Sequence, residues 1–354
     1  MKTIKDIAVE ANVSPGTVDR VLHNRGGVSL KTEALIKKIL KKNNFKINKV
    51  ARSLAMNKTI TLATLLPKFD MENIFWKAPH LGIEAAKEEV EVFGIRVRNF
   101  PFDQFEAASY LKQFEALIHA KPDGVIIAPN FTDETQRMIG ALDEAKIPYV
   151  FINIDLQGFN NLTFIGQDAE MSGILAGRLM HLSLGNQGAV LIVRSKGNSD
   201  VNKTISKRIS GFKTYFKTHN IPISCSFLDT YSLSQSENLK EKFSMALQTT
   251  PEIKGVFIPN SRTAYYLSCL ETHTAKELTI IGFDGTDENV KCLKTGKATF
   301  LISQKPFRQG YDAVKTLTNF ILDRKLPESK MYSPIEILSK ENVDFSREAH
   351  TVKP

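Results

Sequence analysis

Cysteine and tryptophan are scarce in this chain. Its 354 residues hold three cysteines, Cys225, Cys269 and Cys292, and one tryptophan, Trp76. Three scattered thiols with no CxxC pair exclude a disulfide scaffold and a thiolate metal cluster. No apolar run approaches the roughly 18 residues of a membrane span. Met1 to Glu10 alternates polar and apolar residues instead of forming a secretory h-region. The expectation is a reduced, cytoplasmic protein with no membrane partner. Seven histidines show no HxxxH pair or compact ligand spacing, so no metal site is expected. GxxxxGK[ST] is missing, and no GxGxxG follows the first strand, so no cofactor is expected.

What is present is an uneven charge. The chain carries 47 Lys+Arg against 38 Asp+Glu, a net +9. Residues 1–58 alone hold 13 basic and 4 acidic residues, and the remaining 34 of each sign cancel. A small basic module on a neutral body is the electrostatic footprint of a nucleic-acid-binding head. A merely solvated basic surface needs no such segregation. With 42% hydrophobic and 24% charged residues, the rest is ordinary globular protein, long enough for two or three domains.

Three short helices are expected in the head. Thr3 caps the first, with Asp6 in a capping-box position and Ile4, Ile7, Ala8 and Ala11 on one face. Asn12 ends it. Ser14 caps a second helix with Pro15 at its first position, which buries Val18, Val21 and Leu22. A third starts at Ser29 and runs through Leu35, Ile36, Ile39 and Leu40 to about Asn43. Two short helices, a tight turn and a supporting helix make a helix-turn-helix. Its second helix enters the major groove, with Ser14 and Thr17 suited to phosphate oxygens and Arg20 to guanine edges. A phosphate contact or an intramolecular ion pair is the other reading of Arg20.

The run Ser14-Pro-Gly-Thr17-Val18-Asp19-Arg20-Val21-Leu22, continued by Val28-Ser29-Leu-Lys-Thr32, resembles the recognition-helix signature of the lac/galactose repressor family of bacterial transcription regulators. Phe45-Lys-Ile-Asn48-Lys-Val-Ala51-Arg52-Ser53-Leu54-Ala55 resembles that family's hinge segment. The resemblance implies a hinge helix that forms on DNA, with Leu54 wedged into the minor groove. Asp19 stands where the family usually has Ser, and it repels phosphate unless it pairs with a base amine or a neighbouring Arg. Pro15 and Gly16 replace long polar readers, which shifts base readout to Arg20, His23 or Asn24 and to DNA deformability. The DNA-facing candidates are therefore Thr3, Ser14, Pro15, Gly16, Thr17, Arg20, His23, Asn24, Ser29, Arg52 and Leu54. The expected division is a head over 1–47, a hinge over 48–58 and a ligand-binding body over 59–354.

From Thr59 onward, apolar strand candidates alternate with amphipathic helices. The strands are Ile60–Leu66, Ile95–Phe100, Gly124–Ala128, Tyr149–Ile154, Ala189–Val193, Gly255–Pro259 and Leu278–Phe283. That pattern means parallel α/β sheets, and the length suits two doubly wound lobes. Lobe 1 is expected near 59–154 and 305–328, and lobe 2 near 155–304 and 329–354. In open parallel sheets ligands sit beyond the carboxyl ends of the strands. Asn73, Phe75, Trp76, Asn130, Asn153, Asp155, Asp168, Asn260 and Asp284 all lie at such exits. One alone means little, since Asn and Asp favour turns. Six sets together point to a polar small-molecule pocket.

The body resembles the periplasmic sugar-binding-protein type that the same repressor family shares. The resemblance implies that Asn73 bonds sugar hydroxyls and that Phe75 and Trp76 stack on the ring. Arg208, in Arg208-Ile-Ser-Gly211-Phe212, matches the arginine that donates to sugar oxygens. Asn260, Phe283, Asp284 and Gln304 fall at the remaining contact positions. Asn153 stands where a carboxylate is common, and Phe131 replaces another carboxylate. Core packing remains the other reading of Phe75 and Trp76, and a surface ion pair that of Arg208.

These features point to a sequence-specific DNA-binding regulator controlled by a small ligand, a monosaccharide or a derivative. The implied form is a homodimer on a near-palindromic operator, located with the nucleoid in the cytoplasm. A free sugar-binding protein for transport does not need residues 1–58. An enzyme on the same fold is disfavoured: Gly282-Phe-Asp284-Gly-Thr286 approaches the box of aspartyl-phosphate phosphatases, but Gly282 stands where the nucleophilic Asp belongs. No catalytic residue is expected. No long heptad stretch ends the chain, which disfavours a coiled-coil tetramer.

Overall fold

The computed structural model describes residues 2–22, 25–43, 45, 59–70, 73–195, 203–230 and 239–346. Among its described residues the head holds three helices, α1 (Ile4–Ala11), α2 (Pro15–Leu22) and α3 (Leu30–Lys42). Each start follows from a side-chain cap. Thr3 Oγ1 accepts from Asp6 N at 3.3 Å while Asp6 Oδ2 accepts from Thr3 N at 2.7 Å. Ser14 Oγ accepts from Thr17 N at 3.1 Å, and Ser29 Oγ from Thr32 N at 3.2 Å. Such caps are each worth about 1 kcal/mol. Asn12 turns the chain out of α1 at φ 52°, a left-handed position that Asn tolerates. The helices close on Ile7, Ala8, Ala11, Val18, Val21, Ile36 and Ile39.

The body has two six-stranded sheets. Lobe 1 is built on β1 (Ile60–Leu65), β2 (Ile95–Asn99), β3 (Gly124–Ile127), β4 (Tyr149–Ile152), β5 (Phe164–Gly166) and β11 (Lys330–Tyr332), in the order β11-β5-β4-β3-β1-β2. Its central strands β3 and β4 are buried along their whole length, as expected of a sheet covered on both faces. Helices α4 (Lys77–Glu91) and α13 (Pro306–Asp323) cover one face, and α5 (Ala107–His119) and α6 (Thr132–Glu144) the other.

Lobe 2 repeats the plan. Its strands are β6 (Ala189–Ser195), β7 (Ser224–Thr230), β8 (Ile253–Phe257), β9 (Thr279–Phe283), β10 (Phe300–Ser303) and β12 (Glu336–Leu338), in the order β12-β10-β9-β8-β6-β7. Helices α7 (Ala169–Leu184) and α8 (Lys203–Thr218) pack on one face. On the other lie α9 (Leu239–Thr249), α10 (Thr263–Ser268), α11 (Thr272–Glu277) and α12 (Asp287–Lys294). All pairings are parallel except β10 with β12, an antiparallel edge.

The chain crosses between lobes after β5, after β10 and after β11. This corrects the expected borders. Phe164–Gly166 and Lys330–Tyr332, expected in lobe 2, both add to sheet 1, through Phe151 beside Phe164 and Lys330 beside Phe164. Three-residue strands are too short to show a period, and only backbone pairing with β4 places them.

In each lobe two helices meet at glycines. A Cβ on Gly211 of α8 would lie 2.1 Å from Glu170 O of α7, and one on Gly173 would lie 2.0 Å from Arg208 O. Backbone touches backbone there, which fixes the height of Arg208 over the sheet. Gly82 of α4 and Gly310 of α13 make the matching contact in lobe 1.

Candidate functional site

In the head, the exposed start of α2 presents Ser14, Pro15, Gly16 and Arg20, with Thr17 half-buried beside them. Ser14 and Thr17 share a hydroxyl–hydroxyl bond of 2.9 Å. Ser29 and Thr3 are exposed at their helix starts. Asp19 is neutralised by a neighbour, since Arg25 Nη1 donates to its Oδ2 at 3.0 Å. The other three head carboxylates are engaged too: Asp6 on Thr3, Glu10 with Lys2, Lys42 and Asn43, and Glu33 with Lys37. Three of the four head acids thus pair with the head's own cations and Asp6 is held in a helix cap, so a phosphate backbone meets a net positive surface. His23, Asn24, Arg52 and Leu54 lie outside the described residues.

The cleft is organised around two buried charges. Asp284 follows β9 and is 2% exposed; Arg208 lies in α8 and is 3% exposed. The Arg208 guanidinium stacks 3.8 Å over the Phe283 ring, and its Nη1 donates to Pro259 O at 3.0 Å. Its Nε and Nη2 have no partner. A buried guanidinium with two idle donors is poised for a ligand oxygen pair. Burial pulls the Arg208 pKa down, to about 10, against the nearby Asp284 charge. Burial pushes the Asp284 carboxyl up, to about 6, while Arg208 and the amide of Gln304 pull it back.

Gln304 spans the lobes at the second crossover. Its Nε2 donates to Asp284 Oδ1 at 2.9 Å, and its Oε1 accepts from Asn153 Nδ2 at 3.1 Å. Asn153 and Asp284 end the equivalent strands β4 and β9, both in left-handed backbone, at φ 66° and 65°. Gln167, at the first crossover, donates from one Nε2 to Ser303 O at 3.0 Å and Pro334 O at 3.3 Å. That single amide ties all three crossovers together.

The remaining candidates divide. Asn130 is 3% exposed at the end of β3, with Oδ1 unpartnered. Asn73 is tied into its own loop through Lys68 O at 3.0 Å. Asn260 accepts from Arg262 N at 3.0 Å, a turn role. Phe75 borders a small cavity of about 80 Å³ shared with Asp284 and Phe307. Trp76, in the same 3₁₀ turn, packs in the lobe 1 core with Leu66 and Ile83, and only 3% of it is exposed. Phe131 joins Phe102 and Tyr110 in the other lobe 1 cluster. For Trp76 the core reading fits, and Phe131, expected at a contact position, is packed inside lobe 1 as well. Asp155 pairs with Lys330 at 2.7 Å and Asp168 caps α7 through Met171 N at 3.0 Å. Both also border a larger cavity of about 190 Å³ beside the crossovers.

Two positioning residues escaped the sequence reading. Asn289 is 1% exposed. Its Nδ2 bonds Ser261 O at 2.8 Å and both Phe283 O and Asp284 O at 3.0 Å, and its Oδ1 accepts from Ala264 N at 2.8 Å. It holds the Asn260 and Asp284 loops together. Gln167 is the other. A polar residue in an amphipathic helix or a two-residue linker carries no signal that sets it apart from a solvated one.

Residues 63–325 match the family described as periplasmic binding protein domain, and residues 3–48 match the lacI family of bacterial regulatory proteins. The chain belongs to the lac repressor family. Lac-family proteins are DNA-binding transcription regulators rather than enzymes, and so is this chain. It is 23% identical to a ribose operon repressor of Lactococcus lactis over 98% of this chain and 99% of that one. A ribose operon repressor of Halalkalibacterium halodurans is 27% identical over 80% of this chain and 81% of its own length. A solved structure described as a LacI transcriptional regulator from Bacteroides fragilis superposes with a TM-score of 0.75, at 29% identity, over 82% of this chain and all of that one. No helix among the described residues is long and apolar enough to cross a membrane.

Proposed function

We propose that this lac-family regulator binds a near-palindromic operator as a homodimer and that a small neutral sugar in the interlobe cleft sets its affinity for DNA. The observation that carries the ligand half is the buried pair itself. Arg208 offers two unpartnered N–H donors, and Asp284 offers a carboxylate within the same cleft. Sugar hydroxyls are both donors and acceptors, so one ring satisfies both groups. The ribose operon repressors that this chain resembles make pentoses the first ligands to try.

Lobe closure is the coupling step. Gln304 already joins Asn153 to Asp284 across the lobes. A sugar that engages Arg208 and Asp284 changes the angle at which the lobes meet, and with it the spacing of two heads on DNA. Ser14, Thr17 and Ser29 contact phosphates, Arg20 reads base edges, and Leu54 from each copy opens the central step.

The test is selection of operator sequences from a random pool with the full-length protein, followed by anisotropy titration of the selected duplex with and without each sugar. Selective binding that one sugar shifts supports the reading. Selective binding that no small molecule shifts removes the effector half and leaves the DNA half.

A further inference from the structure

Phe105 and Arg262 meet across the two lobes, on the side of the cleft away from the crossovers. Phe105 follows β2 in lobe 1, and Arg262 lies between β8 and α10 in lobe 2. The Arg262 guanidinium carbon stands 5.7 Å from the centre of the Phe105 ring, within cation–π range. Phe105 belongs to neither lobe 1 core cluster and is 46% exposed. The stability of its own lobe therefore does not account for a phenylalanine at this position.

Both partners stand on braced backbone. In lobe 1, Phe102 N donates to Leu66 O at 3.0 Å and Lys68 N to Phe102 O at 2.8 Å, which ties the segment after β2 to the one after β1. Asp103 fixes the turn. Its N donates to Ser109 Oγ and its Oδ1 accepts from Phe105 N, both at 3.0 Å, while its Oδ2 pairs with Lys68 Nζ at 2.8 Å. In lobe 2, Arg262 N donates to Asn260 Oδ1 at 3.0 Å, and Ser261 O accepts from Asn289 Nδ2 at 2.8 Å. With each side anchored to its own lobe, the separation of ring and guanidinium follows the angle between the lobes.

The place of the contact gives it leverage. Sheet 1 runs β11-β5-β4-β3-β1-β2. β5 and β11 feed two of the crossovers at one edge, and β2 is the opposite edge. Gln167 braces the pivot through Ser303 O and Pro334 O. A rotation about that pivot displaces the far edge most. A contact beyond β2 is thus among the first to break when the lobes part.

We infer that Phe105 and Arg262 form an interlobe latch that favours the closed lobe angle before any ligand arrives. The latch needs only the two-lobed body, so it stands whichever small molecule fills the cleft. It adds a second control to the regulation proposed above, because any substitution in the pair resets the balance of open and closed forms that the ligand then acts on.

The experiment is small-angle X-ray scattering from the full-length protein without ligand, with samples compared at equal mass from their forward scattering. Wild type is set beside Phe105→Lys, Arg262→Glu and the double variant that carries both. Loss of one exposed cation–π contact shifts the open-to-closed ratio by about two- to fivefold, and the like charges created by Phe105→Lys shift it further. Each single variant should therefore show a larger radius of gyration than wild type. The double variant places a lysine opposite a glutamate and should return the radius toward the wild-type value. Single variants that scatter as wild type does overturn the latch. A double variant as expanded as the single ones overturns it too, since the residues then act within their own lobes.

Discussion

Asn153 and Asp284 end the same strand in each of two lobes built alike, and the amide of Gln304 reaches both, at 3.1 and 2.9 Å. One member of this pair is neutral and one ionisable. The neutral member makes the cleft depend on a single carboxylate, and its behaviour is the first thing to test.

Asp284 holds its proton more tightly in the folded chain than in the unfolded one, because burial outweighs the help from Arg208 and Gln304. Its proton-linked stability is complete below the ordinary carboxylate value near 3.9 and is lost as pH rises through about 6. Other carboxylates, such as Asp103, move the opposite way. The difference between wild type and Asp284→Asn isolates the effect. Melting followed from pH 4 to 7 should show the wild type losing stability relative to the variant as pH rises; a flat difference contradicts this. Sugar affinity should run the other way and weaken below about pH 6, where Asp284 takes up its proton.

Asn289→Leu removes two donors and an acceptor that bind three carbonyls and one N–H. Each buried group left unpaired costs about 1–3 kcal/mol. The melting temperature should fall by several degrees, and ligand affinity should fall further than the stability loss accounts for. An affinity unchanged at a temperature where the variant is folded means that Asn289 is structural only.

Gly211→Ala puts a methyl group 2.1 Å from Glu170 O. The helices must separate, at a cost of about 1–3 kcal/mol, and Arg208 moves with α8. Ligand binding should suffer more than DNA binding does. Equal losses in both assays mean global destabilisation.

In the head, Arg25→Ala removes a cation that pairs with Asp19 beside the DNA. Operator affinity should drop, because a less shielded carboxylate then faces the phosphates. Adding Asp19→Ala should recover most of the loss. An unrecovered double variant means that Arg25 contacts phosphate and does not shield Asp19.

Much of this was legible from residue pattern. The head's caps at Thr3, Ser14 and Ser29 stand where the sequence puts them, because a cap is a local contact between residues three apart. The continuous apolar strands read correctly as parallel sheets for the same reason: burial on both faces leaves its mark in the strand itself. The lobe borders did not read correctly. β5 and β11 are held by partners more than ten residues away, and nothing inside Phe164–Gly166 announces them. Phe75 and Trp76 look alike in sequence, and both pack in the lobe 1 core; Phe75 also borders a cavity. Gln167 and Asn289 were invisible because their importance lies in carbonyls supplied by distant loops.

The most direct test of the whole account is one binding curve measured twice. The full-length protein is titrated onto its selected operator, first alone and then with saturating sugar. The account predicts a change in operator affinity of five- to 150-fold, the range of about 1–3 kcal/mol of coupling, and the same factor when ligand affinity is measured with and without operator. Superimposable curves at a ligand concentration that calorimetry shows to be saturating would contradict it.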